Sequence, residues 1–417
     1  MSRRIVINSW GSYGDVFPYI GLAVELKARG HTPVVATAGI YREPVERAGI
    51  EYAHVGPDLD ATDTTLYERV MHPTRGSEVI VRELLLPKLA ETYEQLRGVA
   101  AGADLLVTHP ITYAAPIVGE HEGLPWVSTV LAPMLFFSAA DLPVFSQAPS
   151  FVHARKLGVW AARLMVGLAR NSTNAWVEPV YRFRAQLGLP RGGHPMFEGM
   201  FSPHLTLALF SRVLGLPQPD WPQNVETTGF VFYNGPDALD PKLEAFLAAG
   251  PRPVVFTLGT SAVGAAGRFY HESAAAAARL GVRAVLLTGG FAQNVPDGPA
   301  SPNVLLVDRA PHQLLFPRAS AVVHQGGVGT TGQALRCGHP MIVVPHGHDQ
   351  PDNAYRVRKL GVSRTIYPRR YQAAHVAREL ERVLADDYRK RAQATAAAVR
   401  KEGGAAAAAA AIEKLLG

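Results

Sequence analysis

The 417-residue chain reads as an α/β protein of two doubly wound parallel-sheet domains facing a central cleft. Three observations carry that reading. Short β-rich runs alternate with segments of helical spacing from the first residues onward. The same grammar restarts after an interruption rich in Pro and Gly. The length also exceeds the roughly 250–300 residues at which a single core stops growing.

Taken in order, "RIVINSW" predicts a strand, "GSYGD" a turn, and "VFPYIGLAVELKARG" a helix stopped by glycine. "HTPVVATAG", "DLLVTHP" and "LPWVSTVLAP" predict further strands. From Phe145 to Leu189 the pattern turns helical, and "FVHARKLGVWAARLMVGLARN" puts apolar and basic positions on alternating faces. That segment reads as an amphipathic helix packed on its domain. Its sharper readings are a lid over an apolar substrate or a weak membrane-surface contact. "LTLALFS" restores a strand before the Pro/Gly-rich stretch that holds the linker. "PVVFTLGTSA", "AVLLTGG", "NVLLVDRAP", "SAVVHQGG" and "PMIVVPHG" then predict the strands of the second unit. The expected boundaries are 1–230 for the first domain, 231–250 for the linker and 251–395 for the second domain. Residues 396–417 form a terminal helix, favoured by its alanines, that returns to the first domain.

Composition narrows the function. Hydrophobic content of 47% with 18% charged residues is that of an ordinary globular protein. The formal charge of +6 suits an anionic small molecule, and no basic run resembles a nucleic-acid tail. A single cysteine, Cys337, rules out an internal disulfide framework and fits a reducing compartment. There is neither a signal-peptide core nor an apolar run of about 18 residues, so a cytoplasmic protein is expected.

The chemistry concentrates in "HQGGVGTTGQALRCGHPMIVVPHGHDQPDNA", His324 to Ala354. Strand, glycine-rich turn and helix follow one another, an arrangement in which backbone amides and a helix N-terminus can hold a diphosphate. Gly327, Gly329 and Gly332 also match G-x-G-x-x-G, with Asp349 downstream, which by spacing alone would suit NAD. Against that reading, the glycines come late in their domain.

With "GHP", "VVPHGHDQPDNA", "GSYGDVFPYIGLAVELKARGH", "FTLGT" and "RAPHQLLFPRASAVVH" in this order, the chain resembles the GT-B UDP-glycosyltransferase superfamily. It is most similar to the branch of sterol, rhamnolipid and glycopeptide-antibiotic glycosyltransferases. The resemblance implies two Rossmann-like domains and a nucleotide-sugar co-substrate, UDP-glucose or dTDP-rhamnose, with no other cofactor and no metal. It implies that His324, Gly326, Gly327, Gly329 and Thr330 contact the donor diphosphate, with Thr260 facing them across the cleft. Asp349 and Gln350 would bind sugar hydroxyls, and Arg309, Ala310 and His312 the nucleobase. Arg309 stands where many plant members carry Trp. Gly332, with Gln333 beside it, stands at their ribose-binding Glu, so the sequence leaves UDP and dTDP open.

In that family the Asp15 motif carries the general base, and His109 lies near the place of the base's partner, so the two form an expected dyad. By spacing alone Asp15 is equally a helix-capping residue. Direct displacement by such a base inverts the anomeric carbon. Met134, Phe136, Phe137 and Phe145 are the apolar candidates for the acceptor pocket, suited to a polyphenol, sterol or lipid; each could equally be core. "DLD" at Asp58–Asp60 resembles a metal-binding D-x-D but reads as a solvent loop. The expected function is therefore an inverting hexosyltransferase acting on a hydrophobic small molecule. The alternatives are an epimerase or hydrolase of the same fold, a non-catalytic nucleotide-sugar binder, or an NAD-linked oxidoreductase.

Overall fold

The computed structural model describes residues 1–60, 62–235, 238–298 and 301–417. Its first sheet holds β1 (Arg4–Asn8), β2 (Thr32–Thr37), β3 (Glu51–His54), β4 (Leu105–Thr108), β5 (Trp126–Val130), β6 (Leu205–Ala208) and β7 (Val225–Thr227). They lie in the order β3-β2-β1-β4-β5-β6-β7, and every pairing is parallel. The second sheet holds β8 (Val254–Thr257), β9 (Ala284–Leu287), β10 (Val304–Val307), β11 (Ala321–His324), β12 (Met341–Val343) and β13 (Ser363–Thr365). Its order is β10-β9-β8-β11-β12-β13, again wholly parallel. The two doubly wound domains expected from the sequence are thus present.

Strand sequence follows from strand burial. Ile5, Val6 and Ile7 of β1 and Val254, Val255 and Phe256 of β8 are fully buried. Central strands covered on both faces are continuous apolar runs, which is why they are legible in the sequence. The strands the sequence does not announce are β3 (EYAH), β7 (VET) and β13 (SRT), all at sheet edges. An edge strand pairs on one side only and needs less apolar surface.

Each sheet reverses its strand order once, at β1/β4 and at β8/β11. Loops leaving the C-terminal ends of those neighbours diverge and open a crevice. Asn8 pairs with Thr108 in the first sheet, and Thr257 with His324 in the second. The loops after these four residues carry most of the candidate site.

Between the domains, the helix Pro241–Ala248 occupies part of the stretch expected to be linker, with Leu243 and Leu247 buried in a core shared with the second sheet. Residues 236 and 237 of that stretch lie outside the described residues. The helix Asp386–Val399 continues past residue 396, and the chain turns at Gly403 into the helix Gly404–Leu416. Ala408, Ala409, Ala411 and Ile412 of this last helix join the first domain's core. Glu413 binds Arg29 at 2.9 Å and His31 at 3.2 Å at the end of the first helix, Tyr13–Ala28.

Candidate active site

The loop after β1 enters its helix through Gly11, whose φ of +134° suits only glycine and where a Cβ would sit 2.6 Å from the Asp15 carboxylate. Asp15 lies in the first turn of Tyr13–Ala28. Its Oδ2 accepts from the Ser12 amide and hydroxyl, both at 2.8 Å, which closes the helix end. Its Oδ1 faces His109 Nε2 at 3.6 Å. The structure therefore brings Asp15 and His109 together, and the capping and dyad readings of Asp15 use different oxygens of one carboxylate. His109 Nδ1 accepts from the Ile111 amide at 3.3 Å, which leaves the ring proton on Nε2, toward Asp15. Burial by itself would raise the Asp15 pKa. Hydrogen bonding and charge from His109, with the Ser12 contacts, outweigh it and hold the group below its ordinary 3.8. His109 is 5% exposed and Asp15 34%, so the carboxylate is the member open to the cleft.

Across the cleft, β11 runs into Gly326 (φ +93°), Gly327 and the helix Val328–Cys337. The first amides of this helix have no intrahelical acceptor and point the positive end of its dipole at the cleft. Gly329 stands against the first domain: a Cβ there would be 3.3 Å from Gly14 Cα, beside Asp15. Thr330 is nearly buried in the first turn, and the Thr331 hydroxyl bonds back to the Gly327 carbonyl at 3.0 Å. Thr260, half-buried, lies in the turn after β8 that faces the glycines.

His324, expected at the diphosphate, is held within its own turn in this structure. It has no exposed surface; Nδ1 accepts from the Gly326 amide at 3.1 Å and Nε2 lies 3.4 Å from Met341 Sδ. Burial, then the proximity of His312, depress its pKa to about 3, so it is a neutral prop for the turn. The neighbouring Gln325, which sequence reasoning passed over, occupies the more informative place. Its Nε2 runs beside Gly259 and Gly327, lying 2.8 Å from where a Gly327 Cβ would be. Its Oε1 is buried without a partner among the described residues, as is Gln333 Oε1 on the adjoining helix. Unpaired buried acceptors beside a glycine turn are places where ligand hydroxyls or amides can donate. The signal in the sequence was the pair of glycines directly after Gln325.

Asp349 precedes the helix Gln350–Lys359 without a side-chain capping bond and accepts from Asn353 Nδ2 at 2.7 Å. Burial, followed by the negative charge of Asp15, pushes its pKa up to about 7. The charge of Asp15 in the first domain thus acts on Asp349 in the second. Gln350, expected at the sugar, is buried, and its Oε1 accepts from the His346 and Gly347 amides at 2.9 and 3.3 Å. His348 bridges the domains instead, with Nε2 2.8 Å from the Val70 carbonyl and Nδ1 3.2 Å from Ser77 Oγ. Arg309 is exposed at the second domain's rim, its guanidinium 5.8 Å from the Tyr13 ring centroid. Ala310 is half-buried beside it, and His312 stacks on Phe316 at 4.3 Å, neutral with a pKa depressed by burial to about 4.

Of the acceptor candidates, Phe136 is corrected to core. It stacks on Trp221 at 3.9 Å and on Phe201 at 5.7 Å, in a cluster extending into the second domain. Phe145 is buried with Leu142 and Ala162 and stacks on Phe137 at 6.4 Å; Phe137 and Met134 keep partial exposure. The second domain holds this loop directly. Fully buried Asp352 accepts from the Val144 amide at 2.9 Å, and Arg356 reaches Asp141 at 2.5 Å. The carboxylates of the D-x-D look-alike are used locally, Asp58 on the Gly39 amide and Asp60 on Thr62.

Solved structures that share this two-domain fold include several glycosyltransferases. The glycosyltransferase of kitacinnamycin matches over the whole of both chains with a TM-score of 0.73 at 21% identity. VinC in complex with dTDP matches over 99% of each at 0.69 and 20%. Among curated proteins, O-mycaminosyltylonolide 6-deoxyallosyltransferase of Streptomyces fradiae is 35% identical over 88% of this chain and 86% of its own. Glycosyltransferase GtfE of Amycolatopsis orientalis is 30% identical over 95% and 94%. Residues 5–134 match the glycosyltransferase family 28 N-terminal domain, and residues 284–415 the erythromycin biosynthesis protein CIII-like C-terminal domain. The chain belongs to this family: it is a GT-B glycosyltransferase of the natural-product type. The fold and enzyme class expected from the sequence hold, and the NAD reading of Gly327, Gly329 and Gly332 does not. Those glycines follow the fourth strand of their sheet, and Gly332 packs on Phe230.

Proposed function

We propose that the enzyme moves a hexose from a dTDP- or UDP-sugar to a hydroxyl of a hydrophobic small molecule, with inversion and without a metal, in the cytoplasm. The observation that carries the reading is the Asp15–His109 pair at one switch point, facing the glycine turn at the other. Asp15 takes the acceptor proton as the acceptor oxygen attacks the anomeric carbon. The bond from that carbon to the diphosphate oxygen breaks, and the nucleoside diphosphate leaves. His109, buried behind Asp15, orients the carboxylate and stabilises the charge distribution. The helix N-terminus at Gly327–Thr330 stabilises the charge growing on the leaving diphosphate. Asp349, with the free acceptors of Gln325 and Gln333, receives hydroxyl protons of the sugar and ribose. Met134, Phe137 and the rim of the 137–145 loop receive the apolar acceptor. A deoxyhexose on dTDP is favoured over UDP-glucose by the 6-deoxyallosyl transferase among the relatives and by the dTDP bound in VinC.

The test is thermal unfolding with dTDP, UDP and NAD, followed by sugar transfer with and without a macrocyclic or aromatic acceptor. A nucleotide at about 100 times its Kd stabilises by roughly 2.7 kcal/mol. Stabilisation by dTDP or UDP and turnover only with acceptor support the reading. Turnover without acceptor would favour a hydrolase or epimerase and overturn it.

A further inference from the structure

The helix Val159–Ser172 is apolar on two faces. Ala161, Ala162, Met165, Val166 and Ala169 pack inward on the cluster around Leu142 and Phe145. On the other side Trp160, Leu164 and Leu168 follow one another at four-residue spacing, 68%, 53% and 50% exposed; Leu157, also exposed, ends the preceding 3-10 segment before the turn at Gly158. The inner face has its apolar partner, while the exposed Trp160, Leu164 and Leu168 stripe has none among the described residues.

The charges around the stripe identify its partner. Between Asp141 and Glu178 the sequence has no acidic residue, while it carries Arg155, Lys156, Arg163 and Arg170. Arg155 is tied to Asp141 and Arg170 to Glu198. Lys156 and Arg163 are exposed beside the stripe with no ion pair among the described residues. A second copy meeting this face about a two-fold axis would bring like charges together. An anionic bilayer surface satisfies both features, since the apolar face enters the acyl boundary and the free cations meet lipid headgroups. Trp at the apolar–polar boundary is the residue type that such interfaces favour.

We propose that this face docks the enzyme reversibly on anionic membranes, lying on the bilayer surface; no described helix is long and apolar enough to cross it. The proposal is independent of the reaction chemistry.

The experiment is co-sedimentation of the full chain with vesicles of phosphatidylglycerol and phosphatidylcholine in equal parts, against phosphatidylcholine alone. Binding is expected to the anionic vesicles and to weaken at high salt. A Trp160→Ser, Leu164→Ser double variant should bind at least about tenfold more weakly. Replacing Lys156 and Arg163 by Gln should cost on the order of thirtyfold. Both variants change exposed side chains only, and circular dichroism and thermal midpoint report whether they remain folded. Absence of wild-type binding at low salt, or equal binding by the folded variants, overturns the proposal. So does a concentration-dependent dimer of the free enzyme that the Trp160 and Leu164 changes abolish, which would identify a second copy as the occupant.

Discussion

Asp349→Asn should make the protein more stable at alkaline pH while impairing it as an enzyme. Burial and the charge of Asp15 push the Asp349 pKa from 3.8 to about 7. Folded protein therefore retains a proton on Asp349 that the unfolded chain releases near its ordinary pKa. Stability falls as pH rises wherever the folded state binds more protons, here across the window from about 4 to 7. At about 1.4 kcal/mol per unit, the loss between pH 5 and pH 8 is on the order of 2–3 kcal/mol. The Asn variant keeps an oxygen to accept from Asn353 but cannot ionise, so it lacks this slope. For a domain of 150–250 residues, about 2–4 °C accompanies each kcal/mol, so the variant should melt roughly 5–10 °C above wild type at pH 8 relative to the difference at pH 5. Differential scanning calorimetry at the two pH values, in buffers matched for ionic strength, measures this. An unchanged difference would refute the argument that Asp349 is held protonated against Asp15. Loss of sugar transfer in the same stabilised variant would mark the destabilising carboxylate as functional, the trade expected of a binding site.

Asp15→Asn should lower kcat by about 10²–10⁴ while leaving the thermal shift with dTDP or UDP in place, because the amide still accepts from Ser12 but cannot take a proton; retention of most activity would remove Asp15 as base. Since His109 and Ser12 hold Asp15 below 3.8, its ionisation should not limit the rate above about pH 4, which a pH–rate profile checks. Arg356→Met should destabilise by about 3–5 kcal/mol in urea unfolding, because it leaves Asp352 buried with no cation. Adding Asp352→Leu should restore part of that stability, although the Val144 amide loses its acceptor; no recovery at all would mean that the ion pair is not the source of the cost.

How far the sequence reveals this enzyme depends on what each residue's job leaves visible. Buried central strands must be apolar on both faces, so they are plain; β3, β7 and β13 pair on one side and are not. Asp15 and His109 lie far apart in the chain, yet each follows a strand end at the same switch point, so topology brings them together. His324 and Gln350 stand at motif positions, and each also gives one acceptor to a backbone amide, at the turns of Gly326 and His346. Spacing locates such a side chain; its hydrogen-bond partners are set by backbone curvature that spacing does not encode. Gln325 is the converse. Its amide lies beside Gly259 and Gly327 with Oε1 unpartnered among the described residues, and only the two glycines that follow it hint at that in the sequence. Phe136 illustrates the remaining limit, since an aromatic residue after a strand serves a pocket or a core equally well until Trp221 and Phe201, remote in sequence, close over it. The residues that resisted reading are those whose role is set by a partner from another loop or the other domain. In a cleft built between two sheets, that includes much of the ligand-facing surface.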